Sequence, residues 1–136
     1  MADMKVSTKA EHAIHAMLYV AATPEHVCSI DEIAEQESIP REFLAKILRE
    51  LVKKKLLKSF KGIYGGYRLG KLPQQISFLN IIEAMDGPML VVSCADDRHK
   101  NKTKRKYCSA QVFWIPLQDR LKTTLNEMTL DKIKPA

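Results

Sequence analysis

Two cysteines enclose a strongly basic segment in the second half of the chain. Cys94 and Cys108 are separated by thirteen residues, and the cations between them are Arg98, Lys100, Lys102, Lys104, Arg105 and Lys106. Thiolates bind zinc, copper and iron–sulfur clusters, and positive charge nearby also activates a thiol toward oxidation. The two cysteines are therefore candidate metal ligands or candidate redox-active thiols.

A carboxylate and an imidazole lie four residues apart near the start of the chain. Glu11 and His15 share one face if this segment is helical, and helical zinc sites place ligands at the same spacing. Two simpler interpretations stay open, because Glu11 fits a capping box begun by Thr8 and His15 fits an ordinary, partly buried histidine. His12 and His99 are alternative nitrogen ligands.

Composition limits the classes of protein to consider. The chain has 136 residues, 46% of them hydrophobic and 28% charged, which fits one domain or one domain with an appendage. Its net charge of +6 favours a polyanionic partner, either nucleic acid or an anionic membrane surface. The sequence lacks an apolar stretch of the roughly 18 residues that a membrane span needs, and it lacks the apolar core of a signal peptide. We therefore expect a cytoplasmic protein with reduced thiols.

Three helices are predicted in the first half of the chain. The apolar residues recur with helical periodicity from Thr8 to Ala22. A second helix begins after Ser29, which together with Glu32 has the pattern of a capping box. A third begins with Pro40, a residue favoured in the first helical turn. The apolar stripe of this third helix consists of Phe43, Leu44, Ile47, Leu48 and Leu51.

A hairpin is predicted to follow these helices. Residues 56–62 and 66–70 have the shorter apolar period of strands, with glycines between them that mark a turn. Helix, turn, helix and hairpin in this order predict a winged helix. The expected fold is mainly α with a small β-wing, comprising a winged helix-turn-helix DNA-binding domain over residues 1–72. Residues 73–136 then contain a helix ended by Gly87, the cysteine loop and a long C-terminal helix.

DNA contacts are expected on the third helix and on the wing. In a helix-turn-helix, the N-terminal residues of the second helix enter the major groove, where Arg41 can bind guanine and Glu42 can accept a hydrogen bond from cytosine. Any amphipathic helix has charges off its apolar stripe, but the glycine-rich wing and the basic excess favour DNA binding. The predicted contact residues are Pro40, Arg41, Glu42, Lys46, Arg49, Ser59, Lys61, Gly62, Tyr64, Gly65 and Gly66.

The sequence resembles the winged-helix bacterial regulators that include IscR, NsrR and RsrR. The resemblance runs through "KVSTKAEHAIHAMLYVA", "LAKILREL", "KGIYGGYRLGK" and "ISFLNIIEAMDGP" to "TLNEMTLDKI", and so covers nearly the whole chain. It implies a homodimer that binds a pseudo-palindromic operator in double-stranded DNA and pairs through the long C-terminal helix. Pro116 must kink this helix or begin it. The implied dimerisation residues are Trp114, Leu117, Leu121, Leu125 and Met128.

The loop departs from the pattern of the family's cluster-binding members, which commonly have three cysteines about five residues apart. The middle cysteine has no counterpart here, and Gln111 replaces the histidine of IscR-like proteins. The arrangement looks like that of RsrR, in which a glutamate and a histidine complete a 2Fe-2S cluster held by two cysteines; histidine also serves one iron in Rieske centres. The resemblance therefore implies four ligands, those on the first helix coming from the partner subunit: Glu11, His15, Cys94 and Cys108.

The sequence thus predicts a homodimeric transcriptional repressor, not an enzyme, whose operator affinity is controlled by a redox-sensitive 2Fe-2S cluster. One alternative is a cluster-free regulator of the same fold that senses thiol oxidation or a partner protein. Another is a small zinc or iron metalloprotein using the same ligands. Cys28, in the connection between the first two helices, is expected to be a small buried hydrophobe, and His26 an exposed loop residue.

Overall fold

Helix α1 is the central element of the fold. The computed structural model describes residues 6–90 and 110–132, so Cys94, His99 and Cys108 lie outside the described residues. The elements are helices α1 (Thr8–Ala22), α2 (Ile30–Glu37) and α3 (Arg41–Lys53), strands β1 (Leu57–Phe60) and β2 (Gly66–Leu69), a 3-10 turn (Pro73–Gln75), and helices α4 (Phe78–Asp86) and α5 (Gln111–Glu127). Helix α1 contacts α2, α3, α4 and β2.

Helix α1 has the predicted bounds but a different cap. Ser7 is its N-cap, and the Ser7 hydroxyl accepts a hydrogen bond from the Ala10 N–H at 3.0 Å. Thr8 is already the first helical residue, so the capping box considered for Thr8 and Glu11 is wrong. The buried face of the helix consists of Ala10, Ala13, Ala16, Met17 and Val20.

Helices α2 and α3 form the expected helix-turn-helix. The Ser29 hydroxyl accepts a hydrogen bond from the Glu32 N–H at 3.1 Å, but the Glu32 carboxylate accepts from Tyr19 and His26 instead of closing the box. Ser38 ends α2 in the left-handed conformation, with φ 54°. Pro40 is the N-cap of α3 rather than its first residue.

The buried face of α3 is narrower than the predicted stripe. Leu44, Ile47, Leu48 and Leu51 are buried as predicted. Phe43 is 60% exposed, so its assignment to the core was wrong. Phe43 lies in the first turn of the helix, at the edge of the apolar stripe. The helical periodicity of apolar residues defines a face, but it does not show where along or around the helix the core ends.

The wing is a two-stranded antiparallel hairpin docked on the connection between α1 and α2. Leu57 pairs with Leu69 and Phe60 with Gly66. Cys28 and Tyr67 exchange both backbone hydrogen bonds, at 2.9 and 2.8 Å. The position of the wing is therefore fixed by the backbone of the helix-turn-helix unit itself.

Helices α4 and α5 extend the same core. Ser77 and Asn80 form a capping box at the start of α4, which packs on α1 and α3, while α5 packs on α4. Ile76, Ile81 and Leu130 belong to the core cluster that α1 and α3 build. Pro116 lies inside α5. The core is therefore continuous across residue 72. The predicted division at that residue, into a DNA-binding domain and a cluster-binding and dimerisation region, stays a prediction.

We expect Gly66→Ala to destabilise the protein strongly. Gly66 has φ +156°, and a Cβ there would lie 2.3 Å from the Cys28 carbonyl oxygen, on backbone that pairs with the wing. Gly62→Ala is the matched control, since Gly62 also has a positive φ but a Cβ there meets nothing within 4 Å. Urea unfolding followed by circular dichroism should show Gly66→Ala costing roughly 2 kcal/mol more than Gly62→Ala. Equal costs would mean that the close approach to Cys28 is unimportant.

Candidate nucleic-acid interface and candidate metal ligands

Helix α3 has one buried face and one exposed, mostly basic face. Leu44, Leu48 and Leu51 fix the helix to the core with no exposure to solvent. The predicted contact residues on this helix and at its start are all exposed: Pro40, Arg41, Glu42, Lys46 and Arg49. The buried face of α3 thus packs against the core, while the charged side chains on its other face are exposed to solvent.

Arg41 is oriented by a partner on α2. Its Nε donates a hydrogen bond to Asp31 Oδ1 at 2.7 Å, and both side chains are exposed. A guanidinium carries five N–H donors, so an Arg41 held at Nε keeps donors for a phosphate or a base. Surface ion pairs of this kind contribute little to stability, and the pair therefore costs little to rearrange.

The wing tip projects into solvent. Tyr64 is 91% exposed and Ile63 is 95% exposed; Ser59, Lys61 and Gly62 are exposed as well. A Cβ on Gly65 would lie 2.3 Å from the Phe60 carbonyl oxygen, so the turn itself requires glycine there. Sequence reasoning missed Ile63, an apolar residue at the tip of a basic wing.

Glu11 and His15 lie on the exposed side of α1. Both side chains are exposed, and His12 is half-buried. His15 Nδ1 lies 3.4 Å from Glu37 Oε1, at the end of α2. Within residues 6–90 and 110–132, the Glu11 carboxylate has no hydrogen bond or ion pair. The donor chemistry of this pair suits iron or zinc, while its relation to Cys94 and Cys108 involves residues outside the described part of the chain.

A histidine, a cysteine and a glutamate, residue types that can bind metals, meet at the start of α2. Cys28 is fully buried, as predicted, and its Sγ lies 3.0 Å from Thr23 Oγ1 and 4.0 Å from His26 Nε2. His26, although exposed as predicted, lies with Nε2 2.8 Å from Glu32 Oε2. All three residues lie within "HVCSIDE", and sequence reasoning missed them as a group because their spacing alone does not show that they converge.

The same group changes the acidity of its members. The hydrogen bond to Glu32, and then burial, raise the pKa of Tyr19 to about 12. Burial raises the pKa of the Cys28 thiol, against the effect of the Thr23 hydrogen bond. Burial alone would raise the pKa of the Glu32 carboxyl, but the hydrogen bonds from Tyr19 and His26 outweigh it and hold that pKa below the usual value.

We expect Tyr19→Phe to destabilise the protein by about 1 kcal/mol near neutral pH, because Tyr19 donates a hydrogen bond to Glu32. The pKa of Tyr19 is raised in the folded state to about 12, so this stability is present below about pH 10 and is lost as the pH rises through the folded value. Urea unfolding at a series of pH values should show the wild type and the variant converging in base.

Tyr64→Phe, at the exposed wing tip, is the matched control and should leave stability unchanged. Spectrophotometric titration should also find one of the four tyrosines ionising late, and Glu32→Gln should remove that late phase. A pH-independent difference between Tyr19→Phe and the wild type would contradict the assignment.

The sequence matches a family model described as Rrf2, iron-dependent transcriptional regulator, over residues 6–135. It is 30% identical over 131 residues to CymR of Bacillus subtilis, covering 96% of this chain and 89% of CymR. It is also 30% identical to IscR of Pectobacterium atrosepticum, covering 96% of this chain and 79% of IscR. Among the described residues, no helix is long and apolar enough to cross a membrane.

Solved structures have the same fold. The structure of CymR, the global cysteine regulator of B. subtilis, superimposes with a TM-score of 0.76 at 30% identity, over 93% of each chain. The structure of T. potens IscR gives a TM-score of 0.75 at 26% identity, over 93% of this chain and 83% of that one. These matches confirm the predicted winged helix.

Proposed function

Since the chain belongs to the Rrf2 family of transcriptional regulators, we propose that it is a homodimeric repressor that binds a pseudo-palindromic operator through α3 and the wing. We further propose that a redox-sensitive 2Fe-2S cluster, held by Glu11, His15, Cys94 and Cys108, sets its affinity for DNA. The observation that carries the DNA-binding part is the exposed basic face of α3 beside a projecting wing.

Charge is concentrated in this part of the chain. Residues 41–71, which span α3 and the wing, contain ten lysines and arginines and two glutamates, a net charge of +8, compared with +6 for the whole chain. A duplex gains much of its affinity for a protein from such charge, because each neutralised phosphate releases counterions. The basic excess supports an interface formed by α3 and the wing.

The exposed side of α5 supports pairing with a second copy. Val112 and Phe113 are 69% and 74% exposed, and Leu117 and Leu121 are 39% and 38% exposed. The other members of the predicted stripe, Trp114, Leu125 and Met128, are half-buried. Exposed apolar residues grouped on one helix are typical of a surface that another protein covers.

Helix α1 is well placed to connect a metal site to DNA. Glu11 and His15 lie on its exposed side, while its buried side contacts α2, α3 and β2. When bound, the cluster would supply one-electron redox chemistry and a potential raised by nitrogen ligation. In this proposal the chain's own residues transmit the change, because α1 moves against the helix-turn-helix when its ligands are bound or released.

Glu37 is in position to orient His15. A metal-ligating histidine commonly donates its second ring N–H to a carboxylate, which fixes the tautomer and the ring orientation. The 3.4 Å separation of His15 Nδ1 from Glu37 Oε1 suits that role and leaves Nε2 for a metal. Because Glu37 ends α2, this contact joins the proposed ligand directly to the helix-turn-helix.

A cluster-free regulator that responds to thiols is the second candidate. It is supported by the 30% identity to CymR, the global cysteine regulator of B. subtilis, and by the cations near Cys94 and Cys108 in the sequence, which favour reactive thiolates. The four proposed ligands also suit zinc. A zinc-bound form would differ in its metal but would still be a transcriptional regulator.

We expect Lys61→Ala to weaken binding to double-stranded DNA by about three- to tenfold and to lower the salt slope by about one unit. Lys61 is an exposed cation at the wing. Lys132→Ala removes the same charge outside α3 and the wing and is the control. Fluorescence anisotropy over a range of salt, with a duplex selected from a random library, measures both quantities. Equal effects of the two variants would indicate nonspecific charge rather than a wing contact.

We expect protein purified anaerobically to contain iron and sulfide in a one-to-one ratio and to show the visible absorption of a 2Fe-2S cluster. His15→Ala and Glu11→Ala should change that spectrum, because each removes a proposed ligand. His12→Ala is the control, since His12 is the neighbouring half-buried imidazole. A colourless, iron-free wild type that binds DNA normally would favour the cluster-free candidate; unchanged spectra in both ligand variants would move the ligands elsewhere.

A further inference from the structure

The connection between α1 and α2 brings together a thiol, an imidazole and a carboxylate that the proposed cluster does not use. One donor atom from each of Cys28, His26 and Glu32 lies within 4.8 Å of the other two. Two of these residues come from the connection and the third from the first turn of α2. The three donor atoms therefore converge within the helix-turn-helix.

Neighbouring groups hold two of the three donors, Cys28 and Glu32, in place. The backbone of Cys28 pairs with Tyr67 through two hydrogen bonds. The hydroxyl of Thr23 contacts the sulfur, and Tyr19 donates a hydrogen bond to the Glu32 carboxylate. Donors fixed by neighbouring groups in this way are typical of metal sites, where such contacts orient the ligands.

We propose that Cys28, His26 and Glu32 bind one Zn²⁺ ion, with a water molecule as fourth ligand. Thiolate, imidazole and carboxylate are the ligand types that zinc takes, at about 2.0–2.3 Å from the metal. Tetrahedral ligands at those distances lie roughly 3.3–3.7 Å apart. The Sγ–Nε2 distance of 4.0 Å must therefore shorten slightly, and the Nε2–Oε2 distance of 2.8 Å must lengthen as the ion replaces the proton between them.

Solvent has access to the site from one side. The side chains of His26 and Glu32 are 47% and 27% exposed, whereas Cys28 is buried at the base of the group. An ion can therefore enter past the histidine and the carboxylate, and a water molecule can complete its coordination. A magnesium ion is disfavoured, because it requires oxygen ligands in octahedral geometry.

The proposed site would act on the wing as well as on α2. The Cys28 backbone that presents the sulfur is also the backbone that pairs with β2, so a bound ion would link the connection, α2 and the wing. An effect of this ion on DNA binding would follow from its link to α2 and the wing, and it does not require the proposed cluster. Because the ion binds only the folded arrangement, it should raise the melting temperature by roughly 4 °C or more at saturating zinc.

The test uses the 136-residue chain without a tag and with Cys94→Ser and Cys108→Ser, in which Cys28 is the remaining thiol of the three cysteines. Co²⁺ serves as a spectroscopic probe for Zn²⁺. One equivalent should produce thiolate-to-cobalt charge-transfer absorption and the intense visible bands of tetrahedral cobalt, and Zn²⁺ should abolish both. Mg²⁺ should displace nothing. Because this background lacks the loop thiolates, failure to assemble a cluster would not affect the result.

Variants then assign the ligands. Cys28→Ser should remove the charge-transfer band, while His26→Gln and Glu32→Gln, at more exposed positions, should weaken cobalt binding at least about tenfold with the fold intact by circular dichroism. Glu25→Gln alters an exposed carboxylate of the same connection outside the ligand set and should leave affinity unchanged. The proposal is overturned if cobalt gives no charge-transfer band in the parent, or if His26→Gln and Glu32→Gln bind as the parent does.

Discussion

The packing of α1 is the constraint on which the rest of the structure depends. Three alanines on its buried face, Ala10, Ala13 and Ala16, have no exposure to solvent, and small side chains let neighbouring backbones approach closely. Helices α2, α3 and α4 and strand β2 all contact this one helix. The protein interior is close-packed and responds to strain by shifting whole elements. A displacement of α1 would therefore shift its contacts with the helix-turn-helix, the wing and α4 together.

Two residues on one face of α1, His15 and Tyr19, contact the two ends of α2. The exposed side carries His15, which contacts Glu37 at the end of α2. At the other end of α2, the Glu32 carboxylate joins Tyr19 of α1 to His26. Helix α2 is thus joined to α1 through a titratable group at each end. A metal bound at either group would change how the first helix of the helix-turn-helix sits against α1.

Local sequence signals predicted the elements well and their tertiary partners poorly. The periodicity from Thr8 to Ala22 and the glycines of the wing located α1 and the hairpin, because both signals are local. The capping box at Glu32 forms one of its two hydrogen bonds, because the Glu32 carboxylate instead accepts a partly buried hydrogen bond from Tyr19, thirteen residues earlier. Phe43 was misplaced because helical periodicity defines a face without saying where the core ends.

The candidate sites show the same limit. Glu11 and His15 could be placed together from their spacing alone, and the structure finds both exposed on α1. The contact between His15 and Glu37 required the packing of α2 on α1, and no local pattern contains it. Likewise, the spacing of His26, Cys28 and Glu32 says nothing about convergence until the Ser29 cap and the pairing of Cys28 with Tyr67 fix the turn. The assignment of Cys94 and Cys108 as metal ligands stays a prediction from the sequence.

The most direct test of the central claim, that metal chemistry on α1 controls DNA binding, is a comparison of DNA affinity among three forms of one preparation. Holo protein in the oxidised state, holo protein in the reduced state and apo protein would be titrated anaerobically against the same selected duplex at one salt concentration. If metal chemistry on α1 controls DNA binding, the dissociation constants should differ by at least about tenfold between two of the forms, a coupling of roughly 1.4 kcal/mol. Equal dissociation constants for all three forms would contradict it.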